Sequence, residues 1–414
     1  MRVQYFLTYC VIGSVLPFVS VYFRRSGLSN EQVAYAWTLW SAAVVLSPVV
    51  VTLAADAHAD PRRLLVLGSA LGGVSLLSLG LVHGVGPVMG VWTIFCLTSQ
   101  PLLPLQDGVH FSTQRRRRER GQPEEPYHLV RVWGTIGYIV PSVLLFVLLQ
   151  LGMSLLTALW TGAACAALAA AQAALLADPR PKNLAQADAE AVADRRLPTV
   201  SAARALLRPH LIVFTAAVVL VQMAGSVHST FYPIHLTERV GLRAMWIGPA
   251  TILAVSIEVL FVFGAAALVR RLGVKRLLLL AALATALRFG LIASSTGVAV
   301  AFGTQVFHGI FLVAVGVLPQ IILDQHAGDR FRHSMQGLFV MLTGSGRVLA
   351  NPVAGHIASH GLGRVYWCAA VLCLCAAGLI LLAYREPARA DEPIPSNRQL
   401  TDEPPVAPVP AESG

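Results

Sequence analysis

Charge is what this sequence has least of. Only 13% of its 414 residues are Asp, Glu, Lys or Arg, against about 25% in ordinary soluble domains. The hydrophobic set makes up 56%, 34 glycines come on top of it, and the mean hydropathy is +0.66. Too little polar surface remains to wrap a water-soluble globule. That excludes a cytosolic enzyme, a nucleic-acid-binding domain, a disulfide-rich secreted module and a disordered chain. Chemistry motifs are missing as well: there is no GxxxxGK[ST] phosphate loop, no HExxH and no CxxC pair. ATP-driven pumping and metal-dependent catalysis therefore find no support, and no cofactor is implied. Gly344-Ser-Gly346 is too short for a nucleotide fingerprint and suits helix packing. The six cysteines (Cys10, Cys96, Cys165, Cys368, Cys373, Cys375) lie in apolar runs and read as small buried hydrophobes.

What is there is a series of long apolar runs. A transmembrane helix needs about 20 mostly apolar residues, and twelve such runs fall at 4–23, 33–54, 64–83, 87–111, 129–150, 153–177, 210–235, 245–269, 277–295, 297–323, 335–359 and 364–384. They are continuous rather than alternating, so the expected fold is an all-α membrane protein of twelve helices and not a barrel. The first run is expected to be a span, not a signal peptide. A polar stretch, "DPRPKNLAQADAEAVADRR", separates two sets of six. The expected organisation is a six-helix bundle over 1–178, a cytoplasmic linker over 179–209, a second bundle over 210–384 and a disordered tail over 385–414. Both halves carry a basic loop between their second and third spans, "DAHADPRR" and "VRRLGVKR". Six plus six with a linker is the layout of transporters built from two repeats.

The loops set the orientation. With the N-terminus inside, the inner loops hold 19 bases: Arg62, Arg63, Arg115 to Arg118, Arg120, Arg180, Lys182, Arg195, Arg196, Arg204, Arg208, Arg270, Arg271, Lys275, Arg276, Arg330 and Arg332. The outer loops hold five: Arg24, Arg25, Arg239, Arg243 and Arg364. The positive-inside rule then places both termini in the cytoplasm, in the inner membrane. It also explains the net charge of +10 as a topology signal, with the Arg115–Arg118 run anchoring at the lipid surface and no nucleic acid involved.

Charges inside the runs need a reason, because an ionised side chain at the bilayer centre costs at least ~2.5–3.5 kcal/mol. Of the 21 acids, only Asp107 and Glu258 fall well inside an apolar run. Glu258, Arg288 and His308 lie at similar depth on the eighth, ninth and tenth runs, placed to neutralise one another around a common cavity. In the first half, Asp107 lies toward the cytoplasmic end of the fourth run and Arg131 opens the fifth, so a carboxylate–guanidinium pair is open to them. Helical spacing puts Arg131, Thr135 and Tyr138 on one face, and Gln100, Pro104 and Asp107 on another. Gln222, Ser226 and Ser229 form a polar stripe on the seventh run, and Thr304, His308 and Phe311 one on the tenth.

These residues are where the chain resembles a family. "PLQD" followed by "RVWGTIGY" is similar to the fourth- and fifth-span segment of the proton-symporter branch of the major facilitator superfamily, which holds lactose permease, the nucleoside symporters and the phenylpropionate-type permeases. Glu258, Arg288 and His308 fall where lactose permease carries its Glu, Arg and His. The resemblance implies the major facilitator fold and proton-coupled import by alternating access, with the proton gradient as driving force. It puts Asp107 and Arg131 in the places of the sugar-holding acid–arginine pair and Tyr138 in that of the stacking aromatic, with Glu258, Arg288 and His308 expected to bind solute from the second half. "RVWGTIGY" and "SMQGLFVMLTGSG" look closer to the nucleoside symporters, so the expected solute is a nucleoside; a sugar or oligosaccharide, or a small aromatic acid, is the alternative. Phe311 stands where lactose permease has its proton-releasing glutamate, which leaves Glu258, His308, Arg288 and Asp107 as the candidates for coupling. A drug exporter or a non-transporting sensor fits less well, and the expected working unit is a monomer in the bilayer.

Overall fold

The computed structural model describes residues 1–56, 60–176 and 202–384; the expected linker residues 179–201 and the tail 385–414 lie outside them. Among the described residues there is no strand. The first half comprises α1 (Arg2–Arg25), α2 (Asn30–Asp56), α3 (Pro61–Leu79), α4 (Val85–Ser99), α5 (Leu102–Glu119), α6 (Tyr127–Gln150) and α7 (Leu156–Ala174). The second comprises α8 (Pro209–Ile234), α9 (Ile247–Leu272), α10 (Val274–Ser294), α11 (Val298–Gly303), α12 (His308–Leu312), α13 (Leu318–Ser359) and α14 (Leu362–Ala383). Ten helical segments among the described residues are long and apolar enough to cross a membrane. The expected second and eleventh runs lie within α2 and α13.

Local chemistry sets several ends. Asp60 caps α3 by accepting from the Arg62 backbone N–H at 3.0 Å, with Pro61 at the first helical position. A single residue, Gly273, separates α9 from α10; its φ of 75° reverses the chain where a side chain would be strained. The outside of the bundle is apolar, with Leu168, Leu260, Phe263 and Leu382 exposed, while Gln4, Gln106, His228 and Arg288 are buried. That is the inverse of a soluble protein and suits a lipid surround.

Three boundaries differ from the sequence expectation. The fourth run is not one helix: α4 ends at Ser99 and α5 begins at Leu102, because Pro101 and Pro104 donate no backbone hydrogen bond. The arginine run 115–118 is not in a loop either. It forms the last turns of α5, where Arg115 meets Glu119 at 3.2 Å and Arg118 meets Glu124 at 2.7 Å; arginine is a good helix former and suits a helix C-terminus. The polar stretch expected to separate the tenth and eleventh runs is helical backbone inside α13, which no proline interrupts between Gln320 and Met335. Residues 202–206 also form a helical turn, and Ala202, Ala205 and Leu206 are buried in the core of the second half. Two of the cysteines, Cys368 and Cys375, are exposed on the apolar outer face rather than buried, and all six thiols are free.

Within the first half α1 packs on α6 and α7, and α3 on α4 and α7; within the second α14 packs on α8 and α10. The α1–α6 crossing is built from glycines. A Cβ at Gly13 would strike the Tyr138 carbonyl oxygen, and one at Gly137 would strike that of Phe6. Close backbone approach of this kind is how helices associate where lipid supplies no hydrophobic drive. Gly137→Ala is therefore expected to lower the melting temperature of the purified protein. Gly108→Ala, whose Cβ meets open space, should leave it unchanged or raise it, since alanine is worth up to ~1 kcal/mol over glycine in a helix.

The halves meet where α2 packs against α13, α6 against α9 and α1 against α8. Apart from Asn351, which donates to Ser41 deeper in the α2–α13 seam, polar contacts between described residues of the two halves gather at the end where α1 finishes, called here the far end. Arg24 donates to both carboxylate oxygens of Glu238 at 2.9 and 3.3 Å, Asn30 donates to the Ala358 carbonyl at 3.1 Å, and Glu31 meets His356 at 3.0 Å. At the near end, where α1 begins, the Arg2–Glu125 pair lies within the first half.

Candidate functional site

The second half builds its polar cluster around one guanidinium. Arg288 on α10 is 1% exposed. Its Nη1 lies 3.2 Å from His308 Nδ1, and its Nη2 lies 2.9 Å from His228 Nε2 and 2.6 Å from Gln305 Oε1. His308 Nε2 in turn lies 3.6 Å from Glu258 Oε2, an ion-pair distance rather than a hydrogen bond. The tautomers follow from the donor inventory. A guanidinium only donates, so both imidazole nitrogens facing it must accept. His308 then carries its proton on Nε2, pointed at Glu258, and His228 carries its proton on Nδ1, which finds no partner among the described residues. The result is a chain from Arg288 through His308 to Glu258.

Local backbone places two of these groups. A 3₁₀ turn at Thr304–Phe307 sits between α11 and α12, and a π turn at Val313–Val317 follows α12. Such turns change the helical phase, and they often mark functional segments. Gln305 comes from the first of them and His308 opens α12. His308 and Phe311 share a face, their rings stacked at 5.9 Å. Thr304 does not join them; it is buried with its hydroxyl on the Ala301 carbonyl. Glu258 thus meets His308, which lies between it and Arg288; the two terminal guanidinium nitrogens meet His228, Gln305 and His308, and Arg288 Nε has no partner among the described residues.

The first half holds an acid and a guanidinium that do not pair with each other. Tyr5 and Tyr127 both donate their hydroxyls to Asp107 Oδ1, the second at 3.2 Å. Arg131 stacks its guanidinium 4.4 Å from the centroid of the Tyr9 ring, a cation–π contact. Tyr5 and Tyr9 are four residues apart on α1, so the charges are captured one turn apart by one helix face. Gly134 leaves the room for this, because a Cβ there would press on Arg131 Nη1 and on Tyr9. Tyr138 lies farther along α6, half-buried, within electrostatic reach of Glu258 across the seam.

The structure therefore joins Glu258, His308 and Arg288 as one cluster, keeps Asp107 and Arg131 apart, and sets Tyr138 between the halves. It adds Tyr5, Tyr9 and Tyr127 around the first pair and His228 and Gln305 around Arg288. His228 was visible as a titratable group inside an apolar run, one residue from the Ser229 stripe. The others gave no signal beyond being polar residues in spans. A cavity of about 350 Å³ between α6 and α9, lined by Val143, Phe146, Pro249, Ile252, Leu253 and Ser256, holds none of these charges and is an apolar lateral cleft.

A family model described as the MFS_1 like family matches residues 1–368. The chain belongs to this family. Its members are transporters of the major facilitator type and not enzymes, and the all-helical membrane fold accords with that. The nucleoside transporter NupG superposes with a TM-score of 0.80 at 18% identity, covering 93% of this chain and 98% of the other. A bacterial homolog of the human lysosomal transporter Spinster, in an inward-facing and occupied conformation, gives 0.69 at 13% identity over 92% and 95%. In sequence, the chain is 27% identical over 381 residues to a probable 3-phenylpropionic acid transporter of Escherichia coli (strain K12), covering 89% of this chain and 93% of that protein. The chain is therefore similar in fold to a nucleoside transporter and in sequence to a probable 3-phenylpropionic acid transporter.

Proposed function

We propose that this MFS_1-like protein imports a small solute bearing a flat ring, of nucleoside or aromatic-acid type, together with protons. The observation that carries this reading is the Arg288–His308–Glu258 chain. It holds an ionisable carboxylate at membrane depth, linked through an imidazole to a fixed cation, and a structural lock has no need of a titratable relay. Asp107 and Arg131 supply hydrogen-bonding edges from the first half, with Tyr9 and Tyr138 as ring faces. Alternating access follows from two bundles that meet along seams. The near end is assigned to the cytoplasm by the basic residues of α5 and of the α9–α10 turn. The Arg24–Glu238 and Glu31–His356 contacts then join the halves on the outer side. A nucleoside is the expectation from the span-five and span-eleven segments, and the phenylpropionic acid relative supports the aromatic-acid form.

Uptake of labelled nucleosides, sugars and aromatic acids into proteoliposomes, with and without an inward proton gradient, tests this. Gradient-stimulated accumulation of at least one ring-bearing class is expected, and none for any class overturns the reading. A reporter fused after Tyr384 should read as cytoplasmic; a signal from the opposite side would reverse the assignment of the two ends.

A further inference from the structure

The eleventh run holds a guanidinium with no hydrogen-bond or ion-pair partner among the described residues. Arg347 is at the midpoint of 335–359 in α13, so about 18 Å of helix separates it from either end at ~1.5 Å per residue. An arginine side chain cannot snorkel that distance to the membrane surface. Its Nε is buried without a hydrogen-bond partner, no acid pairs with it, and no neighbouring charge bears on it among the described residues.

Where it points follows from its neighbours one turn away. Gly344 packs on Val45 of α2, and Asn351 donates to Ser41 of α2 at 3.4 Å. Gly346 packs on Val219 and Met223 of α8. Leu342, Leu349 and Val353 occupy the exposed, apolar arc. At about 100° per residue, Arg347 falls between the side facing α2 and the side facing α8, away from the lipid. Phe339 stacks on Phe214 while Gly346 meets Val219 and Met223, so the two helices run parallel. Gln222 of α8 then lies on the same side of their seam as Arg347. Gly225, three residues on, abuts the Phe311 ring that stacks on His308. Arg347 thus faces the space flanked by α2, α8 and α12.

We propose that Arg347 anchors a carboxylate on the transported solute, which makes that solute an organic monoanion rather than a nucleoside. The inference rests on the transport reading above and names the charge of its cargo. A guanidinium presents a planar fork that matches a carboxylate and stays charged at any working pH. Neither embedded acid is free to serve as its counter-ion, since Asp107 is held by Tyr5 and Tyr127, and Glu258 lies against His308. An incoming carboxylate compensates the cation, and a neutral solute leaves it bare.

The test uses purified full-length protein with 3-phenylpropionate, benzoate and indole-3-acetate, each against its uncharged amide. At least one acid should raise the melting temperature where its amide does not, and R347Q should abolish that rise. In proteoliposomes R347Q should raise the half-saturating concentration of the same acid about tenfold or more, with R347K retaining part of the affinity. R347Q itself should melt at or above wild type, because it removes an uncompensated charge; a purely structural arginine would give a lower melting temperature and an unchanged acid response. The proposal is overturned if no acid is preferred over its amide, or if R347Q responds to the acid as wild type does. An Arg347-dependent melting shift without gradient-driven uptake would keep the anchor and sink the transport reading. Uridine uptake driven by the gradient, unchanged in R347Q and with no acid response, would do the reverse.

Discussion

Glu258→Gln is expected to abolish uphill accumulation of solute while sparing solute-for-solute exchange. The argument starts from Arg288, a permanent donor that obliges His308 to accept at Nδ1 and so to present its Nε2–H to Glu258. An amide in place of the carboxylate keeps the shape and still offers an oxygen to that N–H, so the cluster should assemble. It cannot ionise, and it cannot take a proton from one side of the membrane and release it to the other. Net proton-coupled movement should stop, whereas exchange, which needs no net proton, should continue at a reduced rate. Proteoliposomes loaded with a pH-sensitive dye and labelled solute read both quantities together. If the variant still concentrates solute and acidifies the lumen normally, the coupling assignment moves to Asp107, the other acid well inside an apolar run.

How much of this was legible beforehand depended on whether a feature lives on one helix or between two. Apolar runs are a property of the chain, and they read through to helices with modest errors at the ends. The errors have local causes. Pro101 interrupts the fourth run because a missing N–H outweighs continuous hydrophobicity, and Arg115–Arg118 stay helical because basic residues suit the end of a helix. Depth along a run is legible too: Glu258 and His308 lie at similar depth on their runs, and in the fold they are 3.6 Å apart.

Pairing across helices was not legible, because it depends on the rotation of each helix about its own axis. The 3.6-residue period gives faces in the frame of one helix and says nothing of which face a neighbour meets. Arg288 bonds to His228 sixty residues away and to Gln305 from a 3₁₀ turn, and neither relation leaves a mark in the spacing. Asp107 and Arg131 looked free to pair by depth. The glycines at 13, 134 and 137 bring α1 so close to α6 that Tyr5 and Tyr9 take the two charges instead. Arg347 gives little signal in the sequence for a related reason: it sits in "LTGSGRVLAN", whose small residues resemble a helix-packing stretch, and its lack of a partner among the described residues is what marks it.

The other large effect is expected at Arg131. Its guanidinium lies 4.4 Å from the centroid of the Tyr9 ring with no acid attached, which fixes its plane while leaving N–H groups available to a ligand. Arg131→Lys conserves the charge but loses the fork and much of the stacking, so solute binding should weaken about tenfold or more. Tyr9 offers the control. Tyr9→Phe keeps the ring face that holds the guanidinium and should bind solute nearly as wild type does. Tyr9→Ala removes the face, frees Arg131 to swing, and should approach the affinity of the lysine variant. A double variant combining Arg131→Lys with Tyr9→Ala should then cost little more than either alone, because both changes break one unit. Binding measured by calorimetry on the wild type and the four variants decides it. Full additivity would mean that the ring and the guanidinium meet solute separately, and equal loss in the Phe and Ala variants would shift the role of Tyr9 from its ring to its hydroxyl.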